Sequence, residues 1–407
     1  MTRKKKKLKV VPLGGVQEIG KNITVFECEE DILVVDCGLT FPEDEMLGID
    51  LVIPDMSYIV KNKEKVKGIV LTHGHEDHIG AIPYILREIN VPIYGTKLTL
   101  GLLENKLEEH GMRKQANLIN VKQGQAIELG CFKVEFIRST HSIADSVALA
   151  ITTPVGVVVH TSDFKIDHTP IEGEPMDLTR LAEIGSKGVV LLMCDSTNIE
   201  REGYTMSERT VGVAFEEMFM KAEGRIIVAT FASNVHRIQQ VINASVKANR
   251  KVAICGRSMT NVVDVATKLG YLSTPRGTII DIDSIDDYPL NNVTIITTGT
   301  QGEPMSALSR MAVSEHKKVE IIPGDLVIIS ASPIPGNEKL IFKVINELFK
   351  KGANVIYESM ADIHVSGHAC REEIKLIHRL VKPKYFMPVH GEYRHLKQPA
   401  SLAAKMG

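Results

Sequence analysis

The sequence HGHEDH, which begins at His73, brings three histidines and two acids into six consecutive positions. It follows a short run of apolar and β-branched residues at 68–71, which is typical of a buried strand. One residue separates His73 from His75, so both side chains can bind one ion from an extended turn, while Asp77 and His78 face a second position. Imidazole and carboxylate ligands together suit Zn²⁺, or Mn²⁺ where oxygen ligands dominate. This spacing therefore predicts a metal centre at the end of a strand rather than a polar surface loop.

Other polar side chains stand at the ends of apolar, strand-like runs. Asp36 ends one run, His141 lies at a strand end within a β-meander predicted between about residues 126 and 159, and Asp163 ends another run. A carboxylate at the end of a buried strand is costly unless it is paired. Asp36 therefore either orients a metal-binding histidine or caps a turn, and the residues alone do not decide between these roles. His160 and His168 are interpreted as ordinary loop or packing residues and are left out of the site.

The spacing His-x-His-x-Asp-His from His73 to His78 resembles the signature of the metallo-β-lactamase superfamily. In that superfamily the signature binds two metal ions at the edge of an αββα sandwich. The resemblance implies that His141 is a further ligand and that Asp163 bridges two cations, which one carboxylate can hold at roughly 3.5–4 Å. It also favours the orienting role for Asp36.

Composition limits the class of protein. The 407 residues are 44% hydrophobic and 24% charged, which indicates a soluble globular protein of two to three domains. No apolar run reaches the length of a bilayer span, and the N-terminus carries lysines rather than an apolar signal core. The six cysteines lack CxxC spacing, so we expect reduced thiols and a cytoplasmic protein without membrane association. With a net charge of −2, any basic track for nucleic acid must be local.

An inserted domain interrupts the lactamase-like part of the chain. From about residue 207 strands and helices alternate, which predicts a parallel-sheet α/β domain. The loops after its predicted strands are rich in small residues, hydroxyls and exposed amides, a composition that suits backbone phosphates. A second histidine group, at His364, His368 and His390, follows the insertion. The predicted domains are the first part of the metallo-β-lactamase domain at 1–206, the insertion at 207–362 and the return segment at 363–407.

This layout is similar to the β-CASP branch of the superfamily, and most similar to the bacterial ribonuclease J family. The match covers nearly the whole chain. It is carried by GGVQEIGKN from Gly14, HGHEDH from His73, THS from Thr140, TSDFK from Thr161, DSTN from Asp195, FASN from Phe231, HVSGH from His364 and HGE from His390. Family members usually continue into a further C-terminal domain used in assembly, and because this sequence stops at Gly407, we expect that domain to be absent from it.

The resemblance implies a role for each motif residue. Asp77, Asp195 and His368 would be catalytic, and the ions would be two divalent metals, with Zn²⁺ expected and Mn²⁺ or Mg²⁺ as alternatives. The implied metal ligands are His73, His75, Asp77, His78, His141, Asp163 and His390. The implied RNA-binding residues are Ala232, Ser233, Asn234, His364, Val365, Ser366, Gly367 and His368, the first three at the 5′-terminal phosphate and the others at the scissile side.

The implied activity is two-metal hydrolysis of RNA, 5′→3′ from 5′-monophosphate ends and with endonuclease activity, in RNA processing and mRNA decay. The implied partners are RNA, a homo-oligomer (dimer or tetramer) or a hetero-oligomer with a paralogue, and an RNA-degradation complex. A small-molecule metallo-hydrolase is one alternative, although a small substrate needs neither the insertion nor the HVSGH segment. A non-catalytic RNA-binding scaffold is another, although such a subunit would be expected to have lost its ligands. The sequence does not distinguish RNA from DNA as the substrate.

Overall fold

The computed structural model describes residues 6–42, 46–303, 305–333, 337–358 and 360–407. The lysine-rich N-terminus noted above lies largely outside these ranges. The chain forms two compact units. The first contains Met1–His168, Glu174–Thr205 and Gly367–Gly407, and the second contains Thr169–Gly173 and Met206–Ser366. The three domain ranges given above remain a prediction. In the described part of the chain, no helix is long and apolar enough to cross a membrane.

The first sheet of the first unit carries the strand that precedes the HGHEDH segment. Its six strands follow one another in space as they do in the chain: β1 Leu8–Gly14, β2 Ile23–Cys28, β3 Asp31–Val35, β4 Val66–Val70, β5 Ile93–Gly95 and β6 Leu118–Asn120. Strands β1 to β3 pair antiparallel, and β3 to β6 pair parallel. Strand β4 is fully internal to this sheet, which explains its apolar, β-branched sequence.

The second sheet is completed by the return segment of the chain. Its spatial order is β18-β11-β10-β9-β8-β7. The predicted meander is confirmed, since β7 to β10 pair antiparallel in sequence, whereas β11 and β18 add parallel strands. The bounds are β7 Ala126–Leu129, β8 Phe132–Arg138, β9 Val147–Thr153, β10 Gly156–His160, β11 Val189–Asp195 and β18 Pro383–Val389.

Helices cover the outer faces of both sheets. Apolar residues of both sheets, such as Phe26, Val70, Phe136 and Leu149, form one buried cluster between them. Two further clusters lie beneath the helices, one on each outer face. This is the predicted αββα sandwich, and the fold prediction is confirmed. The helices are α1 Ser57–Lys61, α2 Glu76–Ile79, α3 Ile82–Ile85, α4 Lys97–Glu109, α5 Leu178–Lys187, α11 Arg371–Val381 and α12 Tyr393–Met406.

The second unit is built on one sheet, and every strand pair in that sheet is parallel, as the alternating pattern predicted. The spatial order is β14-β13-β15-β12-β16-β17. Its strands are β12 Ile226–Ala229, β13 Lys251–Cys255, β14 Ile279–Ile280, β15 Val293–Thr297, β16 Leu326–Ile329 and β17 Asn354–Ile356. Its helices are α6 Arg209–Lys221, α7 Val235–Lys247, α8 Arg257–Leu269, α9 Ala307–Ala312 and α10 Glu338–Lys350. Short 3₁₀ turns lie at Lys63–Lys65 in the first unit and at Ile282–Asp287 and Leu290–Asn292 in the second.

Candidate metal centre

Seven predicted ligands meet at one edge of the sandwich, where strands of both sheets end. Within each of three groups, one candidate donor atom from every residue lies within 4.8 Å of the others. The first group contains His73, His75 and His141; the second contains Asp77, His78, Asp163 and His390; the third contains Asp163, Asp195, His368 and His390. The first two groups, here called the histidine cluster and the mixed cluster, contain all seven predicted ligands.

In the histidine cluster the imidazole nitrogens face one another. His73 Nε2 lies 3.1 Å from His75 Nδ1, and His141 Nε2 lies 3.2 Å from that same Nδ1 atom. His141 Nδ1 donates to the carbonyl oxygen of Gly367 at 2.6 Å, which leaves its Nε2 lone pair directed into the cluster. Burial lowers the pKa of His73 and His141 well below the usual histidine range, and it lowers the pKa of His75 to about 4. Three neutral imidazoles with converging lone pairs fit a divalent cation.

In the mixed cluster, carboxylates and imidazoles alternate. His390 Nε2 lies 3.0 Å from Asp77 Oδ2, and His78 Nε2 lies 3.2 Å from Asp163 Oδ2. Burial lowers the pKa of His390, but the charge of Asp163, the nearby Asp195 carboxylate and a hydrogen bond to Asp77 outweigh it and raise the value to about 10. For His78, burial is likewise outweighed, chiefly by the charges of Asp163 and Asp77, so its pKa is raised. The protons on these histidines neutralise the negative charge of the carboxylates, and a bound divalent cation can replace them in that role.

Asp36 is linked by hydrogen bonds to a histidine of each cluster. Its Oδ2 accepts from His78 Nδ1 at 2.8 Å, which turns His78 Nε2 toward the mixed cluster. The Thr72 hydroxyl also donates to Asp36 Oδ2, at 2.8 Å, and it lies 3.1 Å from His73 Nδ1. Because that hydroxyl hydrogen is used on Asp36, Thr72 accepts from His73 and leaves His73 Nε2 directed inward. These contacts are of the kind that the predicted orienting role of Asp36 requires, and the role itself stays a prediction.

A similar arrangement of a threonine and an aspartate lies beside His390. Thr197 Oγ1 donates to Asp195 Oδ1 at 2.7 Å and lies 2.7 Å from His390 Nδ1. Asp195 Oδ2 accepts from His368 Nδ1 at 2.8 Å, and the rings of His368 and His390 stack with their centroids 5.3 Å apart. Burial lowers the pKa of His368, but the charge of Asp195 outweighs it, so the net pKa is raised. About 20% of the His368 side chain is exposed, so this imidazole is accessible beside the predicted metal ligands.

The predicted RNA-binding residues are divided between the two units. Gly367 and His368 belong to the first unit, and His364, Val365 and Ser366 to the second. Val365 is buried, whereas His364 and Ser366 are half-buried.

In the second unit, Ala232 and Ser233 are half-buried in the loop after β12, and Asn234 caps α7 by accepting from the Arg237 backbone N–H. The Arg237 guanidinium donates to the carbonyl oxygen of Ile363 at 3.2 Å, and Ser330 Oγ donates to that oxygen at 2.5 Å. Arg237 therefore ties the FASN loop to the residue that precedes His364.

Sequence reasoning missed two buried charged residues that make hydrogen bonds near the predicted RNA-binding segments. Arg237 is fully buried and bonded to Glu208. Glu373, also fully buried, accepts from the backbone N–H groups of Ile166, Thr205 and Cys370 at 2.6–2.7 Å. On a helical pattern, such charges look like solvent-facing side chains. No signal in the sequence marks Glu373 as buried, since its neighbours Arg371, Glu372 and Lys375 are themselves charged.

His160 and His168 lie outside the three donor groups found among the described residues. His160 is buried and accepts from the Ser162 backbone N–H at 2.9 Å, and burial lowers its pKa to about 4. It packs as a neutral side chain.

Comparison with protein families gives three matches along the chain. Residues 17–181 match the metallo-β-lactamase superfamily, residues 223–348 the ribonuclease J β-CASP domain, and residues 352–407 the Zn-dependent metallo-hydrolase RNA specificity domain. A crystal structure of a protein of unknown function from Enterococcus faecalis V583 has a TM-score of 0.70 and 17% identity, covering 97% of this chain and 96% of that one. That likeness concerns the fold alone.

Curated relatives match almost the whole chain. Ribonuclease J of Helicobacter pylori strain B128 is 50% identical over 99% of this chain, which spans only 58% of that relative's length. Ribonuclease J of Thermus thermophilus is 48% identical, and ribonuclease J2 of Bacillus subtilis is 45% identical. Each of these two alignments covers 98% of this chain, and 71% and 72% of the relatives respectively. These matches confirm the predicted resemblance, and the chain belongs to the ribonuclease J family.

Proposed function

We propose that this chain is the catalytic part of a ribonuclease that uses two divalent metal ions to hydrolyse RNA phosphodiester bonds. The observation that carries the proposal is the convergence of seven donor residues, from segments as far apart as His73 and His390, into two adjacent clusters. A non-catalytic scaffold has no use for a complete donor set. A small-molecule hydrolase has no use for the second unit.

The donor set suits Zn²⁺ in the histidine cluster, and it suits Zn²⁺ or Mn²⁺ in the mixed cluster, where two carboxylates contribute oxygen. When bound, such ions lower the pKa of a water molecule toward neutrality and polarise phosphoryl oxygens. Asp163 serves both clusters, since its Oδ2 lies 3.2 Å from His78 Nε2 and 3.9 Å from both His73 Nε2 and His141 Nε2. That position is the one a bridging carboxylate needs.

His368 is the proposed proton donor to the leaving 3′ oxygen, and the downstream product would keep a 5′-phosphate. Its Nδ1 is engaged by Asp195, so the opposite nitrogen, Nε2, is the one that can deliver a proton. The charge of the buried Asp195 carboxylate raises the pKa of the His368 imidazole and so favours its protonated form. Asp195 is therefore a positioning residue for this step, through its contact with His368.

The FASN loop and the HVSGH segment are the proposed RNA-binding elements. Ser233 follows a strand of the parallel sheet, a place where backbone amides and hydroxyls bind phosphates. We propose that Ala232, Ser233 and Asn234 hold a 5′-terminal monophosphate, while His364, Ser366 and His368 hold phosphates nearer the scissile bond. Recognition of a monophosphorylated end favours stepwise 5′→3′ degradation, and endonuclease activity remains part of the proposal.

The six cysteines are all free thiols in the structure, and five are buried, which is compatible with a reducing compartment. We propose a cytoplasmic role in RNA processing and mRNA decay. Assembly with a second copy or a paralogue, and with other RNA-degrading proteins, belongs to the same proposal.

The test uses one uniformly labelled RNA prepared with either a 5′-monophosphate or a 5′-triphosphate, incubated with the protein and Zn²⁺ or Mn²⁺. Mononucleotide release from the monophosphate form alone is expected. Ser233→Ala should reduce the preference for that form about 10–100-fold, since one charge-assisted hydrogen bond contributes about 1.5–3 kcal/mol. Ser273→Ala is the matched control, because Ser273 is exposed in the loop that leads from α8 to the amino end of β14, at the sheet edge opposite Ser233. Equal internal cleavage of both forms would make the protein chiefly an endonuclease, and no cleavage with any metal would favour the scaffold alternative.

A further inference from the structure

The Gly-rich segment GGVQEIGKN, at positions 14–22, has no part in the proposed function, yet it contacts the mixed cluster from two sides. It connects β1 to β2. Near its start, the carbonyl oxygen of Gly15 accepts from the His390 backbone N–H at 2.7 Å. Gln17 and Glu18 then form isolated β-bridges with the two residues that follow His390. One end of the segment therefore holds the backbone that carries His390.

The other end of the segment holds Asp77 through Asn22. The Asn22 backbone N–H donates to the carbonyl oxygen of Asp77 at 2.9 Å, and its carbonyl oxygen accepts from Gly38 N–H at 3.0 Å. The side-chain nitrogen, Nδ2, lies 3.1 Å from Asp77 Oδ2 and 3.0 Å from His78 Nε2. Those two atoms are themselves 3.6 Å apart, and both are donors of the mixed cluster. The amide of Asn22 therefore lies against two metal-ligating atoms at once.

The backbone leaves this amide little freedom. Gly15 has φ +74°, and a Cβ at that position would lie 2.3 Å from Asn22 Oδ1. Only glycine tolerates both the left-handed conformation and this close approach. The carbonyl oxygen and the Oδ2 atom of Asp77 each lie 3.1 Å from Nδ2, and since both can only accept, the NH₂ end of the amide is the one that faces the cluster. An amide does not titrate, so the donor is available at every pH at which the protein is folded.

We propose that Asn22 is a positioning residue for the ion of the mixed cluster and does not serve the ion of the histidine cluster. The inference rests on the proposed binding of two metals. Its contacts reach Asp77 and His78, whereas the histidine cluster is oriented by other groups, namely Thr72 at His73 and Gly367 at His141. Asn22 fixes the Asp77 carboxylate and sets its distance from His78 Nε2. Loss of such an outer hydrogen bond typically weakens metal affinity 10–100-fold.

The experiment removes metal from the whole chain with a chelator and titrates the protein with Co²⁺ and with Zn²⁺. The readouts are the stoichiometry, two dissociation constants and the Co²⁺ absorption bands, which differ between a site bound mainly by imidazoles and a site with additional carboxylates. Asn22→Ala is expected to keep one ion at wild-type affinity and to weaken the other 10–100-fold, with the change confined to the bands of the mixed site. Asn22→Ser, which keeps a hydroxyl donor, should give an intermediate affinity.

Asn62→Ala is the matched control, because Asn62 Nδ2 donates to the Tyr58 carbonyl oxygen at the end of α1 and contacts neither cluster. It should bind both ions like the wild type. Equal weakening of both ions in Asn22→Ala would mean a general structural role and would overturn the inference, as would unchanged affinities. If Asn22→Ala fails to fold, Asn22→Ser decides by the same criteria. Wild-type protein that binds fewer than two ions would overturn the proposed two-metal function itself, an outcome distinct from the others.

Discussion

The histidine cluster and the mixed cluster lie side by side but are electrostatically opposite. In the histidine cluster, burial lowers the pKa of each imidazole, so the donors are neutral and ready to bind at neutral pH. In the mixed cluster, the charges of buried carboxylates raise the pKa of His78 and His390. An ion entering the mixed cluster must displace protons, whereas an ion entering the histidine cluster need not. Two sites with similar residue types can therefore differ in how they acquire a metal.

The same hydrogen-bond arrangement nevertheless orients one histidine in each cluster. In each, a threonine hydroxyl donates to a buried aspartate and accepts from a histidine: Thr72 joins Asp36 to His73, and Thr197 joins Asp195 to His390. This arrangement fixes which imidazole nitrogen faces inward, whatever the charge of the cluster. What distinguishes the clusters is thus the presence of carboxylates among the donors.

Asp163→Ala should have the largest effect, because Asp163 is the carboxylate within 4 Å of histidines of both clusters. We expect loss of both ions and a fall in RNA cleavage of about 10³-fold or more, since several kcal/mol of metal-dependent stabilisation disappear. Metal content measured by mass spectrometry, together with a single-turnover cleavage assay, checks this. Retention of one tightly bound ion would show that the clusters are independent.

Asp77→Ala should affect the two clusters differently. The protein is expected to fold and to keep the ion of the histidine cluster, but to lose the other ion and with it nearly all cleavage, again about 10³-fold. The neighbouring Glu76→Ala is the control, since the Glu76 side chain is half exposed and pairs with Lys106 away from the donors. Near-full RNA cleavage by metal-stripped Asp77→Ala protein would contradict the two-metal mechanism.

His368→Ala tests whether the third donor group is a metal site. If His368 donates a proton, this variant keeps two ions and cleaves roughly 10²-fold more slowly, the lower end of the range for a lost general acid. The acidic limb of the pH–rate profile should stay and the alkaline limb should disappear. A drop in metal content instead would assign His368 to metal binding.

The pH dependence of stability in the metal-free protein should also differ between the clusters. His75 has a folded pKa of about 4, below the unfolded value near 6.5. Its contribution to the free energy of unfolding is therefore present above about pH 6.5 and is lost as the pH falls toward 4. His390 has a folded pKa of about 10, so its contribution is present below about pH 6.5 and is lost as pH rises toward 10.

Urea unfolding in chelator across this pH range gives the measurement. In His75→Gln, the slope of the unfolding free energy against pH should become smaller by about 1.4 kcal/mol per pH unit below about pH 6.5. In His390→Gln, the slope should change by the same amount above about pH 6.5. Slopes that do not change in either variant would contradict the opposite charge states assigned to the two clusters.

Sequence alone was informative where the chemistry is local or the pattern is regular. The HGHEDH spacing predicted a metal centre, the strand ends at Asp36 and Asp163 offered further polar residues, and the alternation of strands and helices after residue 207 predicted the parallel sheet. The resemblance then supplied the αββα sandwich and the prediction that His141 and His390 are ligands, which no local pattern could connect to His73. Asp36 stayed ambiguous, because a capping and an orienting carboxylate look the same in a strand-end pattern.

The contacts of Asn22, Thr197, Arg237 and Glu373 were decided by the tertiary structure alone. Each makes hydrogen bonds to segments remote in the chain: Asn22 reaches Asp77, 55 residues away, and Thr197 reaches His390, 193 residues away. Residue spacing determines which side chains share a strand end or a helix face, because the backbone repeats are fixed. It does not determine which remote segments meet, because that depends on how sheets pack and close around a common core. The sequence therefore determined which donor residue types stand at the strand ends, and the packing of the two sheets decided which side chains hydrogen-bond to them.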